Sequence, residues 1–209
     1  MKKSYFFFII LTLTISCNNS DWLLYRAGSD YFPLKTGNWW QYSQYGQIEQ
    51  VEVKAETVVY ETECIHLLRN YADEFWKKTD NEIRKLYIRT VNIGGTDFEI
   101  EKTWLLQYRL PLVLGAQWAE IFTDTVLVMG DTFRIFHTVR RMVSEICDVN
   151  VLAGTFQQCY QLDYLEQVKI NDSLVEDYAG YEWYAPQVGL VKKVINNRET
   201  LLMDYSVKQ

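Results

Sequence analysis

The chain has 209 residues, of which 48% are apolar and 23% charged, a composition that suits a folded globular protein and excludes a disordered one. Its 21 Lys and Arg against 27 Asp and Glu give a net charge of −6, which argues against nucleic-acid binding. The chain contains only 10 Gly and 3 Pro, which excludes a collagen-like or low-complexity protein.

Residues 1–16 have the pattern of a secretory signal peptide. Lys2 and Lys3 precede an uncharged, mostly apolar run from Tyr5 to Ile15. This run is shorter than the stretch of about 20 apolar residues that a membrane-spanning helix requires. The sequence therefore predicts export from the cytoplasm.

The signal ends in a segment that resembles a bacterial lipobox. Ser16 is the small residue expected before an acylated cysteine, Cys17, whereas Thr14 departs from the Leu that is usual at its position. Cys17 is predicted to carry fatty acyl chains, such as palmitate, that anchor the protein to a membrane of the cell envelope. The outer membrane is the favoured prediction over the inner membrane. The alternative is an ordinary secretory signal with an incidental cysteine.

Downstream of residue 38 the chain alternates polar residues with β-branched and aromatic ones, which predicts β-strands. Turn signals such as Gly94-Gly95 and Asn196-Asn197 separate these runs, and no helical periodicity lies between them. The predicted runs are 39–45, 51–56, 64–71, 83–93, 98–108, 125–129, 133–146, 156–170, 174–184, 190–195 and 200–207.

These runs predict an all-β fold in which an antiparallel meander of roughly ten strands curls into a half-barrel or barrel. At most one short helix is expected, within residues 21–29. The predicted organisation is a signal peptide at 1–16, a lipidated tether at 17–30 and a single β domain at 31–209.

A PLxxGxxW spacing occurs twice, from Pro33 to Trp40 and from Pro111 to Trp118. Proline favours an extended entry, glycine permits a positive φ, and tryptophan can then open a strand. We interpret the repeat as a strand-entry turn used twice. The functional alternative is that both tryptophans face one cleft.

Three cysteines follow Cys17, and two of them flank the predicted turn at Ala153-Gly154. A hairpin centred on this turn would place Cys147 nearly opposite Cys159, and an exported protein can hold a disulfide there. The alternative is that both are buried free thiols, as we expect for Cys64.

The sequence offers no motif for catalysis, a cofactor or a metal. Cys64 and His66 share a strand face but lack a second ligand pair, and His137 is interpreted as a residue at the core edge. Glu99 and Glu101 are predicted to lie on a solvated strand face. The same interpretation is given to Asp163, Glu166, Glu176 and Asp177. The expected protein is not an enzyme and needs no cofactor.

Aromatic residues are concentrated in two short segments, 39–45 and 178–184. On a strand, Trp40 and Tyr42 share one face, whereas Trp39 and Tyr45 lie on the other. Such residues either fill a wide barrel core or line a ligand surface.

Three segments resemble a broad group of bacterial secreted proteins and lipoproteins of unknown function. They are a YFPLxxGNxW entry at 31–40, an AGTFxxC hairpin at 153–159 and a YAPxVGLVK hairpin at 184–192, in which Gln187 stands where Gly is usual. The resemblance implies an antiparallel sheet bent into a half-barrel, somewhat like that of periplasmic lipoprotein carriers, and implies no catalytic residues.

The favoured hypothesis is therefore a lipid-anchored envelope protein whose concave sheet binds an apolar ligand or a segment of an envelope partner. Its ligand-binding residues cannot be assigned from the sequence. The alternative is an accessory lipoprotein with a filled core, and an envelope hydrolase is the least favoured hypothesis. An aromatic-lined void of roughly 300 Å³ or more would favour ligand binding.

Overall fold

The computed structural model describes residues 30–208, which form twelve β-strands and, within that range, no helix. The all-β prediction is therefore confirmed, with twelve strands where roughly ten were expected. The strands are β1 (Trp39–Gln44), β2 (Gln47–Val59), β3 (Thr62–Arg69), β4 (Ala72–Lys78), β5 (Glu82–Ile93), β6 (Thr96–Arg109), β7 (Gln117–Val128), β8 (Asp131–Val151), β9 (Gly154–Ile170), β10 (Ser173–Ala185), β11 (Gly189–Ile195) and β12 (Arg198–Ser206).

All twelve strands belong to one antiparallel sheet, in the order β6-β5-β4-β3-β2-β1-β12-β11-β10-β9-β8-β7. The first and last strands, β1 and β12, pair with each other at the middle of the sheet. The two sheet edges are β6 and β7, which follow each other in the chain. The sheet curls until these edges approach, so that it nearly closes into a barrel.

A side chain bridges the seam between the two edges. The carboxylate of Glu120 on β7 accepts a hydrogen bond from the backbone N–H of Leu106 on β6. It also lies 3.0 Å from Nη1 of Arg84 on β5. A second contact crosses the seam: Ile100 of β6 packs with Val128 of β7 and Ile135 of β8 in an apolar cluster that holds the two sheet edges together.

The barrel has an open end and a closed end. The tight turns at 45–46, 70–71 and 196–197 lie at the open end. The entry segment, residues 30–38, lies at the closed end, where Phe32 packs its ring against Tyr108 and Tyr184. Tyr31 packs edge-on against Tyr160, so that the segment plugs this end of the barrel with two buried aromatic rings.

The two PLxxGxxW segments form the same turn, which confirms the strand-entry interpretation. Gly37 has φ = 83° and donates its N–H to Val53, while Gly115 has φ = 81° and donates to Val143. Each turn then leads into a strand that begins close to a tryptophan, in β1 or in β7.

Two bulges in β6 change which of its side chains point inward. Arg89 pairs with Glu101 and Thr90 with Glu99, which leaves Ile100 without a partner and turns Ile100 and Glu101 both to the interior. A second bulge leaves Gln107 between the paired residues Leu106 and Tyr108. Gln107 is consequently buried.

Three further outcomes concern individual elements. Strand β4 was missing from the predicted runs, because its Asp, Glu and Lys residues hide the period-two pattern. The signal peptide predicted at 1–16, the short helix allowed within 21–29 and Cys17, the predicted site of lipidation, lie outside the described residues. No helix within residues 30–208 is long and apolar enough to span a membrane.

Candidate functional site

A cavity of about 860 Å³ occupies the barrel interior. Its walls come from β1–β6 and β8–β11, together with Arg198 at the start of β12. Towards the open end it is bordered by exposed residues, among them Asn70, Ala72 and Asn196. The entry segment closes its opposite end through Tyr31 and Phe32.

The inner end of the cavity is aromatic. Trp40 and Tyr42, which strand parity placed on one face, both line it from β1, and Trp76 joins them from β4. Hydrogen bonds fix two of these side chains: Trp40 Nε1 donates to the Val188 carbonyl at 2.7 Å, and the Tyr42 hydroxyl donates to the Leu190 carbonyl at 3.1 Å. The aromatic surfaces are therefore held in place before any ligand arrives.

One wall carries an inner ion cluster, defined as Glu49, Arg69, Glu74, Lys85 and Lys193. Arg69 pairs with both Glu49 and Glu74, and Lys85 lies 2.8 Å from Glu74. Although burial raises the pKa of Glu74, Arg69 and Lys85 lower it to about 2, so this carboxylate is ionised at neutral pH.

Lys193 is the least well paired member of the inner ion cluster. Its single carboxylate contact is Glu49, at 3.7 Å, and it makes no hydrogen bond within the described residues. Burial lowers the pKa of Lys193 because it removes water from the charged amine, and the positive charge of the nearby Arg69 lowers it further.

Arg141 lines the cavity from β8. Its guanidinium lies 3.7 Å from the ring centre of Tyr164 and donates from Nη2 to Gln107 Oε1 at 3.0 Å. Its Nε lies 3.8 Å from Glu182, which itself accepts the Tyr108 hydroxyl at 3.0 Å. Burial lowers the pKa of Arg141, but the carboxylates and tyrosines around it raise it overall, so Arg141 stays protonated.

Behind Arg141 lies a cross-wall network, defined as Arg89, Glu101, His137, Glu166 and Glu176. His137 Nδ1 lies 2.6 Å from Glu101, and its Nε2 lies 3.5 Å from Glu166. Arg89 then joins Glu101 to Glu176. Burial lowers the pKa of His137, but the two carboxylates raise it to about 9, so the imidazole is cationic at neutral pH.

Three residues of this network were wrongly placed by the sequence analysis. His137 is fully buried rather than at the core edge. Glu101 was expected to face solvent with Glu99, yet the bulge at Ile100 turns it inward. Glu166 is also buried, because it shares a face with Leu162 and Val168.

The alternation of apolar and polar residues along β8 could have located two of the buried cations. In β8, His137 and Arg141 alternate with Ile135, Val139 and Val143, all of which are buried. A charged residue within such a stripe must face the interior, and it therefore requires partners there.

The other candidate residues lie away from the cavity. His66 pairs with Asp73 at 2.7 Å in an exposed contact, and Trp118 donates to the Gln107 carbonyl without lining the cavity. Cys147 and Cys159 lie directly opposite each other on β8 and β9 as free thiols. Among residues 30–208, no group of three or more His, Cys, Asp or Glu is arranged to hold a metal ion.

Comparison with known proteins gives one partial match. A family model described as DUF3108-like matches residues 120–207, which is less than half of the chain and runs from β7 through β12. The family has no assigned function, in agreement with the expected resemblance to proteins of unknown function. No curated protein and no solved structure matches the chain significantly.

Proposed function

We propose that this protein is a non-enzymatic binding protein of the bacterial cell envelope, held by a lipid on Cys17, that carries a small amphipathic molecule in its barrel. The observation that carries the proposal is the cavity of about 860 Å³. It lies within the range of about 300–1,000 Å³ that is typical of small-molecule sites. An accessory protein with a filled core would not need such a space.

The lining favours an amphipathic ligand over the wholly apolar one expected from the sequence. The inner end offers aromatic surfaces such as Trp40 and Trp76, whereas the walls offer ionised side chains such as Arg69 and Arg141. An entirely apolar molecule would desolvate these charges without compensation. A molecule with an apolar body and a polar group matches both parts of the cavity.

The protonation states support binding rather than acid–base catalysis. The pKa of Glu166 is about 2, because His137 and Arg141 outweigh the effect of burial, and the pKa of Glu74 is also about 2. Neither can act as a general acid near neutral pH. The high pKa of His137 likewise keeps it from serving as a general base.

Ligand binding is tested with N-phenyl-1-naphthylamine, a neutral apolar dye that fluoresces when it leaves water. Ala72→Trp places a large ring at the open end, where Ala72 lines the cavity, and should abolish dye binding. The matched control is Ile48→Trp, since Ile48 is 61% exposed and does not line the cavity. Equal dye binding by both variants would overturn the proposal, as would a native protein that binds neither this dye nor its sulfonated analogue, 8-anilino-1-naphthalenesulfonate.

The anchor is tested separately by fractionation of the native bacterium. The native protein should appear in the membrane fraction with an acylated N-terminal Cys17, and Cys17→Ala should remain unacylated and lose the membrane association. Removal of residues 1–16 takes away Lys2 and Lys3, so the net charge falls from −6 to −8. Such a body has no attraction to anionic headgroups. A Cys17→Ala protein that still sediments with membranes would refute the anchor.

A further inference from the structure

We infer that the ligand carries an oxyanion, such as a carboxylate, sulfonate or phosphate, and that Arg141, Gln107 and Lys193 bind it. This inference rests on the proposed function and specifies the chemical class of the ligand. It follows from the hydrogen bonding of the cavity wall. Buried donors there have no hydrogen-bond acceptor, whereas the carboxylates already accept hydrogen bonds from other side chains.

Two donors on one wall are buried without an acceptor. Arg141 Nε and Gln107 Nε2 have no hydrogen-bond partner within the described residues, although both side chains line the cavity. Arg141 is 3% exposed and Gln107 2%. Because Gln107 Oε1 accepts from Arg141, the amide is oriented with its NH₂ group available for a ligand.

A buried donor without an acceptor is costly, and the cost is removed when a ligand supplies the acceptor. Lys193 adds a third donor, since its nearest carboxylate, Glu49, is 3.7 Å away. Glu182 pairs directly with Lys193 across β10 and β11, and its carboxylate lies 3.8 Å from Arg141 Nε, so Glu182 adjoins both cations. The three donors therefore belong to one region of the cavity.

The cavity carboxylates, by contrast, are already engaged. Glu166 accepts the hydroxyls of Tyr87 and Tyr164 at 3.0 and 2.9 Å. Glu74 accepts from Arg69, Lys85 and Trp76. A cationic ligand would have to displace these donors, whereas an oxyanion would meet donors that have no hydrogen-bond acceptor among the described residues.

The formal charges agree with this assignment. The protein as a whole has a net charge of −6, yet its cavity is lined by five cationic side chains and four carboxylates. An anion entering the cavity therefore balances the excess positive charge of the lining. Its apolar part would then lie against the aromatic inner end.

A matched pair of dyes tests the inference. 8-Anilino-1-naphthalenesulfonate has the ring system of N-phenyl-1-naphthylamine and adds one sulfonate. The native protein should bind the sulfonate dye about tenfold more tightly than the neutral dye, as expected for hydrogen bonds to a charged group. Tight binding of the neutral dye with no gain from the sulfonate would overturn the oxyanion inference and leave the proposed function standing.

Two variants then locate the sulfonate. Gln107→Glu keeps an acceptor for Arg141 but replaces the NH₂ donor with a negative oxygen, and Lys193→Gln removes one charge. Each should weaken the sulfonate dye by about tenfold and leave the neutral dye unchanged, which also shows that the variant is folded. The control Lys169→Gln removes a charge from an exposed residue that does not line the cavity, and it should change neither dye.

The remaining outcomes are equally decisive. If both variants bind the sulfonate dye as the native protein does, the sulfonate lies elsewhere and the assignment of these residues is wrong. If neither dye binds the native protein, the proposed function fails and the inference fails with it.

Discussion

His137 on β8 and Glu101 on β6 form a fully buried ion pair, with 2.6 Å between Nδ1 and Oε1. These strands are not neighbours in the sheet, so no ladder of backbone hydrogen bonds joins them. The pair therefore connects the two arms of the sheet near its open seam. It acts as a brace of charged side chains between β6 and β8, next to Glu166 of the cavity lining.

The first prediction concerns the cost of breaking this brace. Glu101→Gln should destabilise the protein by about 3 kcal/mol, because it leaves the buried His137 and the half-buried Arg89 with one carboxylate fewer. Urea unfolding monitored by tryptophan fluorescence measures the change. The same substitution should shift the titration of His137 to lower pH, as measured by NMR.

The matched control is Glu99→Gln, two residues away on the same strand. Glu99 is exposed and pairs with the surface residue Lys102. Little change in stability is expected for this variant. Equal losses at the two positions would contradict the inward orientation that the bulge at Ile100 gives to Glu101.

The second prediction concerns stability against pH. Because the pKa of His137 is raised from 6.5 to about 9 in the folded state, its contribution is fully present below pH 6.5 and is lost as pH rises through 9. A shift of this size corresponds to about 3 kcal/mol. Unfolding free energies measured in urea across this range should therefore fall as the pH increases.

His137→Gln removes the titrating group and provides the comparison. The variant should be less stable than the native protein at pH 6.5, and the difference should shrink towards pH 9. Identical pH profiles for the two proteins would show that His137 does not titrate in this range.

The third prediction concerns the cysteine pair. Cys147 lies opposite Cys159 in register, and residues so placed in an antiparallel pair have Cβ atoms close enough for a bridge after a small adjustment. In protein isolated from the cell envelope, the proposed location, we expect a disulfide between them. Mass spectrometry after alkylation in denaturant, without reductant, should find Cys64 modified and Cys147 linked to Cys159.

Cys159→Ser supplies the control, since it should make Cys147 available for alkylation. Full alkylation of Cys147 and Cys159 in the unreduced native protein would show that the pair stays reduced.

The parts of the fold that depend on local pattern could be predicted from the sequence. Alternation placed Trp40 and Tyr42 on one strand face, and the glycines of the two PLxxGxxW segments marked turns that require positive φ. Both signals arise from residues close together in the chain, so they survive in a single sequence.

The candidate site depended on information that is not local. The bulge at Ile100 adds one residue to β6 and so reverses which of its following side chains face the interior. No residue pattern in that stretch predicts the bulge. Glu166 was taken for a surface residue because carboxylates are usually exposed, although its partners, Tyr87 and His137, come from other strands. The cavity exists only once these strands are brought together.

The last prediction concerns the close approach of β10 and β11, which carry Glu182 and Lys193 to the cavity. A Cβ at Gly180 would lie 1.8 Å from the carbonyl oxygen of Val194, so no side chain fits without moving one strand. Gly180→Ala should therefore lower the free energy of unfolding by more than about 2 kcal/mol. It should also weaken binding of both dyes, because the displaced strands line the cavity.

Gly130→Ala is the control for Gly180→Ala. It shows the cost of losing glycine's conformational freedom without the steric clash that a Cβ at Gly180 makes with Val194. Gly130 has φ = 95°, but apart from its chain neighbours no heavy atom of residues 30–208 lies within 4 Å of the position of its Cβ, so only a backbone cost of about 1–2 kcal/mol is expected. Dye binding should remain unchanged in this variant, since Gly130 lies in the turn between β7 and β8 and does not line the cavity. A Gly180→Ala protein as stable as Gly130→Ala, with native dye binding, would contradict the strand spacing on which the cavity wall depends.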